Sequence, residues 1–373
     1  MRRRDVLTGL GLTTLSACTT AAPSAPGPQG YQPRRTYAPV QSSIGRVTRT
    51  VVGLRPYRPQ GYRLEAETLG DKTVIHNYGH GGCGVTMSWG TSQVAADLAT
   101  SSGASSVAVL GAGVMGLTTA LILARRGHEV TVYAEHLPPH TTSNIAGVLW
   151  LPTGYFDRDV ATPEFLRRNR ILIRAAHRGF LPYVNRPGYG VYWSDHHALS
   201  RWSPKAYNTL PGGDDLYPEL QRAHENTLFG YAFMERFRAL IIDPDYYLDQ
   251  IMKDAQLAGA QFIGATLGPE DVAALPQSVI VNCTGLGARD LFGDEDLVPI
   301  RGQLSHLLPQ PEIDYSYVAP TSQGVLYMFP RRTGIVLGGT HEMGEASLEA
   351  DPAQIKRIVE GHADLAGRLD TTA

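Results

Sequence analysis

Cysteine is scarce: the three in 373 residues, Cys18, Cys83 and Cys283, stand far apart and share no metal-ligand spacing, which argues against a disulfide framework or a zinc site. No stretch of about 18 consecutive apolar residues occurs, so no segment is suited to cross a membrane as a helix. Excess charge is missing too. The formal net charge is -2, and setting aside Arg2, Arg3, Arg4 and Asp5, which together carry +2, leaves -4 for the rest. That mildly acidic balance argues against a nucleic-acid partner. What the chain does have is length, 43% apolar residues and 40 glycines, the composition of an α/β enzyme with one large core or two coupled ones.

The chain is arranged around Val107 to Glu135. A short apolar run ends in Gly111-Ala112-Gly113-Val114-Met115-Gly116, a helical pattern follows through Leu117, Leu121 and Ala124, and a β-branched run closes on Glu135. The pattern predicts a strand, a tight glycine turn, a helix and a second strand. Its glycines let backbone approach a pyrophosphate, and the helix start offers free N–H groups. Glu135 stands where an acid accepts the hydroxyls of an adenosine ribose. A glycine turn in a solvent-exposed loop would explain neither the acid nor the flanking apolar runs. Such a unit normally opens its fold, yet about a hundred residues precede it here.

Residues 1–18 begin with Arg2-Arg3-Arg4, pass through a glycine-rich, moderately apolar middle and end in Leu15-Ser16-Ala17-Cys18, which reads as an export signal. Arg3-Arg4 followed by Leu7 resembles a twin-arginine signal, and Leu15 to Cys18 a lipobox whose cysteine is lipidated. The rival is an ordinary secretory signal with a chance cysteine. Residues 19–45, rich in Pro, Ser, Gly and Ala without periodicity, are expected to form a disordered tether. From Arg46 the character changes. Val47 to Leu54 predicts a strand entering Gly53-Leu54-Arg55-Pro56-Tyr57-Arg58-Pro59, where two prolines forbid a helix and present the arginines on a stiff extended segment. A further strand from Val74 runs through Gly79, Gly81, Gly82 and Gly84 into a helix near Thr86, a second place where backbone can touch a ligand beside a helix start. Residues 91–105 read as a short helix and a Ser/Gly/Ala linker.

Two motifs carry a resemblance. GLRPYRP with IHNYGHGGCGVTMSWG resembles the closing segment of the D-amino-acid oxidase family of FAD flavoproteins, and GAGVMGLTTAL with VTVYAE resembles that family's opening flavin fingerprint. Thr141 to Trp150 resembles its second phosphate- and flavin-contacting loop, and Phe237 to Leu248 the return from the substrate domain. Val279 to Gly285 resembles the strand and turn under the adenosine, and Arg301 to Gln303 the strand back to the substrate sheet. Tyr327 to Pro330 and Ile335 to Thr340 resemble the substrate-binding strands. The order is reversed, the family's end standing before its beginning. Joining residue 373 to Ser43 restores it, so the resemblance implies a circular permutant. The implied fold is α/β: an FAD-binding Rossmann-like domain plus an α+β substrate domain with an antiparallel sheet. Residues 46–90 would be the displaced C-terminal segment, 91–105 the join, 106–154 the FAD-binding domain and 251–300 its return. Residues 155–250 and 301–373 would be the two parts of the substrate domain.

Oxidising an α-amino acid by flavin requires the Cα–H to face the ring, the carboxylate to be clamped and the amine to be neutral as hydride leaves, so positioning does most of the work. By resemblance Arg55 is the carboxylate clamp, because a planar guanidinium grips a carboxylate through two parallel hydrogen bonds. Tyr327 would bind the same carboxylate, and the Gly82 carbonyl the amine. The plainer readings are a surface ion pair for Arg55 and a core aromatic for Tyr327. FAD would be held by Gly111, Ala112, Gly113, Val114, Met115, Gly116, Glu135, Thr142, Ser143, Gly147 and Gly285. Its ring would meet Gly81, Gly82, Gly84, Val85 and Thr86, with the helix dipole there steadying negative charge. Three positions depart from the family pattern: Gln323 stands for a second tyrosine, Cys83 would put a thiol near the flavin, and Val148 replaces a glycine.

Other residues are set aside. His76 and His80 are four apart, but glycines 79, 81 and 82 forbid the helix a zinc pair needs. His196-His197 is expected to be solvated in an aromatic-rich loop, and Asp243 and Asp245 beside Pro244 to begin a helix. Arg331-Arg332 is expected to be surface charge, unless one points inward and favours an acidic substrate; His341 is a further candidate for the pocket. The implied protein is an exported, lipid-anchored, FAD-dependent D-amino-acid oxidase. It would yield an imino acid, then a 2-oxo acid and ammonia, with molecular oxygen as acceptor and hydrogen peroxide as product. Neither a metal nor a nucleic acid is expected, membrane contact would be through the anchor alone, and a homodimer is left open. The alternatives are a D-aspartate or D-glutamate oxidase, a quinone-linked dehydrogenase, and a surface lipoprotein that keeps the fold without catalysis.

Overall fold

The computed structural model describes residues 36–369 except 148, 205–207 and 226. The export signal, most of the tether and Val148 therefore lie outside the described residues. In chain order the elements are β1 (Val47–Tyr57), β2 (Arg63–Leu69), β3 (Lys72–Tyr78), α1 (Gly84–Ser101), β4 (Ser106–Leu110), α2 (Val114–Arg125) and β5 (Glu129–Ala134). Next come α3 (Pro163–Phe180), β6 (Val191–Ser200), β7 (Gln221–Ala223), β8 (Phe233–Ile242), α4 (Pro244–Leu257), β9 (Gln261–Gly264), α5 (Pro269–Ala274), β10 (Val279–Asn282) and α6 (Ala288–Phe292). The last are β11 (Val298–Leu307), β12 (Tyr315–Thr321), β13 (Gly324–Arg331), β14 (Gly334–Gly338), β15 (Glu342–Met343) and α7 (Pro352–Ala366).

One sheet has the order β2-β3-β10-β4-β5-β9, parallel from β3 to β9 with β2 added antiparallel. Its parallel strands alternate between two apolar layers. Ile75, Val107, Val109 and Val281 join the cluster that holds Leu117 and Leu121 of α2, while Val74, Ala108, Leu110 and Ile280 pack with Val272 of α5. Burial on both faces is why these strands read as unbroken apolar runs. Every residue of α2 from Val114 to Ala124 is buried, as expected of a helix apolar all round. It ends on Gly127 at φ +87°, whose N–H bonds the Ala124 carbonyl while that of His128 bonds Leu123, a Schellman closure.

The second sheet has the order β1-β11-β14-β13-β12-β6-β8-β7, with β15 beside β11. Its neighbours are antiparallel except β12 and β6, which run parallel. The sheet expected to be antiparallel is thus mixed at one seam, where two distant stretches of chain meet and no hairpin sets the strand direction. Helix α7 covers part of it, with Ile358, Val359 and Leu365 against Leu307, Met328, Ile335 and Leu337.

Three expectations need correction. The tether ends before residue 45: Tyr37 and Val40 are buried in the α7 layer, and the Tyr315 hydroxyl donates to the Ala38 carbonyl at 2.8 Å. Gln41 and Gln310 exchange two hydrogen bonds, and the Ser42 hydroxyl donates to the Val359 carbonyl at 2.7 Å. A Pro- and Ser-rich composition hid two apolar anchors. The join is also shorter than 91–105, because α1 continues to Ser101 and buries Thr91, Ser92, Ala95, Ala96 and Ala99. Small residues that resemble a linker let this helix pack closely on α2 and α3; a Cβ on Gly90 would lie 2.3 Å from the Leu172 carbonyl oxygen. Finally, His196 and His197 are fully buried, because β6 is an interior strand between β12 and β8. Burial pushes His196 down to about 3, and its neutral ring sits 2.9 Å from the Ser316 hydroxyl.

If residues 37–42 are packed as described, Tyr37→Ala should cost about 3 kcal/mol of stability. A denaturant midpoint equal to the parent's would place the segment outside the fold.

Candidate active site

Strand β1 lies antiparallel to β11 with Arg55 opposite Ile300, so its stiff Pro-flanked end carries the arginine onto the sheet. There the side chain crosses two bare glycines. A Cβ on Gly302 would fall 2.6 Å from Arg55 Nη2, and one on Gly82 would fall 2.7 Å from Cδ. Gly82 also has φ +98°, which only glycine adopts without strain. Nη2 of Arg55 donates to the Tyr327 hydroxyl and Nη1 to the Thr340 carbonyl, both at 3.4 Å. These bonds are long, and among the described residues no carboxylate lies within ion-pair distance of Arg55. A half-buried guanidinium with a phenol beside it and no side-chain carboxylate among the described residues is chemically suited to receive a carboxylate.

Tyr327 is placed in the same way. It pairs with Gly338 across β13 and β14, where a Cβ would lie 2.1 Å from the phenol ring. Its ring stacks on Phe329 at 5.3 Å, and a Cβ on Gly147 would meet Phe329 at 3.0 Å and Tyr327 at 3.8 Å. Arg55, Tyr327, Gly82 and Gly147 are therefore brought together from four separate stretches of sequence.

A cavity of about 600 Å³ adjoins Arg55 and touches both glycine turns. Its wall includes Gly111, Ala112, Gly113, Val114, Met115, Glu135, Thr142, Ser143, Gly285, Gly82, Gly84 and Val85. The turns are tight: Gly111 has φ +93°, and a Cβ on it would lie 2.7 Å from the Cys283 carbonyl oxygen. The Val114 N–H donates to the Ser143 hydroxyl at 3.0 Å, tying the second loop to the start of α2. A helix start, bare backbone turns and an acid at the rim fit a dinucleotide such as FAD, and these residues would hold it.

Four residues expected to touch the cofactor stand outside that wall. A Cβ on Gly116 would lie 1.8 Å from the Gly111 carbonyl oxygen, so this glycine closes the helix onto the turn. Gly81 lies under the Tyr57 ring and the Tyr155 backbone. The Thr86 hydroxyl donates to the Cys83 carbonyl, and its own carbonyl accepts from the Trp150 indole. Gly147 lies beside Tyr327 and Phe329.

The departures from the family pattern also find places. The Cys83 thiol points at the Thr153 carbonyl, 3.2 Å away, rather than into the cavity, and burial pushes it up to about 11. Gln323 is an exposed turn residue whose carbonyl accepts from Arg357. Among the described residues no cluster of metal ligands forms; His80 instead stacks on Tyr62 at 4.8 Å. Asp243 caps α4 through the Asp245 N–H. Arg331 is buried rather than on the surface, while Arg332 is exposed. The Arg331 guanidinium donates to the Ala146 and Gly147 carbonyls and lies 4.0 Å from both Asp243 and Asp245, so its charge is already engaged. His341 is exposed next to Arg55; its pKa is lowered first by partial burial and then by the Arg55 charge.

Sequence reasoning missed Gly302 and Gly338. Their signal was glycine inside a strand, which marks a close approach by another group. Gly302→Ala should displace the guanidinium, lowering kcat/KM on a carboxylate substrate by about 100-fold. Its FAD content should match the parent's; unchanged kinetics would show that the arginine needs no such space.

A family model described as FAD dependent oxidoreductase matches residues 32–98 and 106–371. The chain is 32% identical over 273 residues to a D-amino-acid oxidase of Rubrobacter xylanophilus, covering 70% of this chain and 77% of that one. It is 32% identical over 255 residues to a D-amino-acid oxidase of Streptomyces coelicolor, covering 68% and 75%. A human D-aspartate oxidase is 26% identical over 263 residues, covering 68% and 73%. Among solved structures, glycine oxidase from Geobacillus kaustophilus superposes with a TM-score of 0.51 at 16% identity, over 72% of this chain and 80% of that one, a likeness of fold.

Proposed function

The chain belongs to the FAD-dependent oxidoreductase family, and from that premise we propose that it oxidises D-amino acids to 2-oxo acids and ammonia, with oxygen reduced to hydrogen peroxide. The observation that carries this reading is the Arg55 guanidinium, paired with no carboxylate among the described residues, beside the Tyr327 hydroxyl and opening on the cavity that fits FAD. Held by the residues of that cavity wall, FAD would supply the hydride acceptor for the substrate Cα–H. Arg55 binds the substrate carboxylate through two parallel hydrogen bonds, and the Tyr327 hydroxyl adds a third contact. The Gly82 carbonyl, in a turn only glycine adopts, holds the amine. Phe329 and Gly147 pack against the Tyr327 ring beside Arg55.

The D configuration is carried over from the relatives' activities. A neutral side chain is favoured over an acidic one, because the inward cation Arg331 donates to two loop carbonyls and has two aspartates 4.0 Å away to balance its charge. We read the chain order as a circular permutation. Its support is the Ser42 to Val359 bond, which joins the start of the fold to the last helix, and a family match in two stretches on either side of residues 99–105. Export and lipidation at Cys18 rest on the Leu15 to Cys18 motif.

Under anaerobic conditions D-amino acids should bleach the yellow flavin band and L-forms should not; a flavin that no D-amino acid reduces overturns the proposal. Arg55→Met should keep FAD while raising the substrate KM about 100-fold or more, the loss of roughly 3 kcal/mol of charge-assisted hydrogen bonding. Cys18→Ser should move the protein from the membrane to the soluble fraction, and unaltered partitioning would argue against the anchor.

A further inference from the structure

We infer that His76 is a positioning residue for the cofactor site, acting through Asn282 on the Thr284–Gly285 turn; this rests on the reading of the 600 Å³ cavity as the FAD site. The turn after β10 forms part of the cavity wall through Cys283, Thr284 and Gly285. One side chain holds it. Asn282 Oδ1 accepts from the Thr284 N–H at 3.1 Å and from the Thr284 hydroxyl at 2.7 Å.

The chemistry of each group then sets the orientation of the next. A backbone N–H only donates, so the atom facing it is the amide oxygen and the Asn282 nitrogen must point the other way. There it meets His76 Nδ1 at 3.1 Å. An amide NH2 also only donates, so Nδ1 must offer a lone pair and the imidazole proton resides on Nε2. Nε2 lies 3.0 Å from Glu67 Oε1, and the second Glu67 oxygen accepts from Arg63 Nη2 at 2.6 Å. Burial alone would raise the Glu67 carboxyl, but His76 and Arg63 outweigh it and hold it below its ordinary range. Burial is likewise the largest influence on His76 and favours its neutral form.

This relay runs from β2 through β3 to β10, and His76 and Asn282 stand opposite each other in register. Both are fully buried. The rings of Tyr78 and Phe292 close edge-on around the imidazole at 5.5 and 5.2 Å, and Glu65 of β2 pairs across from it. At this fully buried position, an Asn282 amide that loses its acceptor leaves an NH2 unsatisfied. It can recover a partner only by rotating, which turns Oδ1 away from Thr284. Carboxylate at the sheet edge, tautomer in the core and turn at the cavity are thereby linked.

The test strips FAD from the full chain and titrates it back, following flavin fluorescence. His76→Phe should raise the FAD Kd about tenfold or more, the cost of one broken buried hydrogen bond. His76→Asn, which puts an oxygen acceptor where Nδ1 stood, should stay near the parent. A role in packing predicts the reverse ranking, because phenylalanine fills the space better, and that ranking would overturn the inference. If neither variant folds, Glu67→Leu at the half-exposed end should raise the Kd about threefold or more; an unchanged Kd there overturns the relay. A parent chain that takes up no FAD would instead overturn the reading of the cavity on which the inference rests.

Discussion

The active region depends on a guanidinium that faces no side-chain carboxylate among the described residues. Keeping a positive charge half-buried is costly unless something negative or dipolar shares its site. Here the shared groups are a phenol and a carbonyl at 3.4 Å, both too weak to replace a carboxylate. The surrounding structure is built to allow this. Gly302 and Gly82 leave room for the side chain, Pro56 stiffens the strand behind it, and Gly338 leaves room for the tyrosine that meets it. Any Cβ at these glycines would refill the space and move the charge. The unmet demand of Arg55 is thus a property of four backbone positions as much as of the arginine.

Three buried polar side chains elsewhere have partners of a different kind. Arg331 is sealed in but engages two loop carbonyls and two aspartates, and so secures the loop at Gly147 instead of greeting a substrate. His196 and His76 are fully buried neutral rings, each with one ring nitrogen paired with a side chain across the sheet. The contrast is informative: among the described residues Arg55 at the cavity faces no carboxylate, while the buried Arg331 donates to two loop carbonyls and lies 4.0 Å from two aspartates.

Much of this was legible before any coordinates. The turn Gly111 to Gly116 between apolar runs, the acid at 135 and the second glycine turn from Gly79 have local signatures, because φ above zero and close backbone approach demand glycine at particular steps. Errors arose where composition stood in for packing. Ser, Ala and Thr in α1 looked like linker but are small because another helix lies against them. Tyr37 and Val40 were lost in a Pro-rich stretch, and two adjacent histidines looked polar although an interior strand covers both faces.

The amino-acid sequence alone determined the strand–turn–helix units, the stiff segment bearing Arg55 and the affinity for a dinucleotide, since each depends on residues within a few positions of one another. Only the tertiary structure decided that Arg55 faces no carboxylate among the described residues, which way Cys83 and Arg331 point, and that Gly302 and Gly338 leave room for Arg55 and Tyr327. Those outcomes depend on strands that meet from 200 or more residues apart, as Arg55 meets Ile300, and on sterics between side chains that share no local pattern. A charge is committed or left available by whatever the folded sheet places beside it.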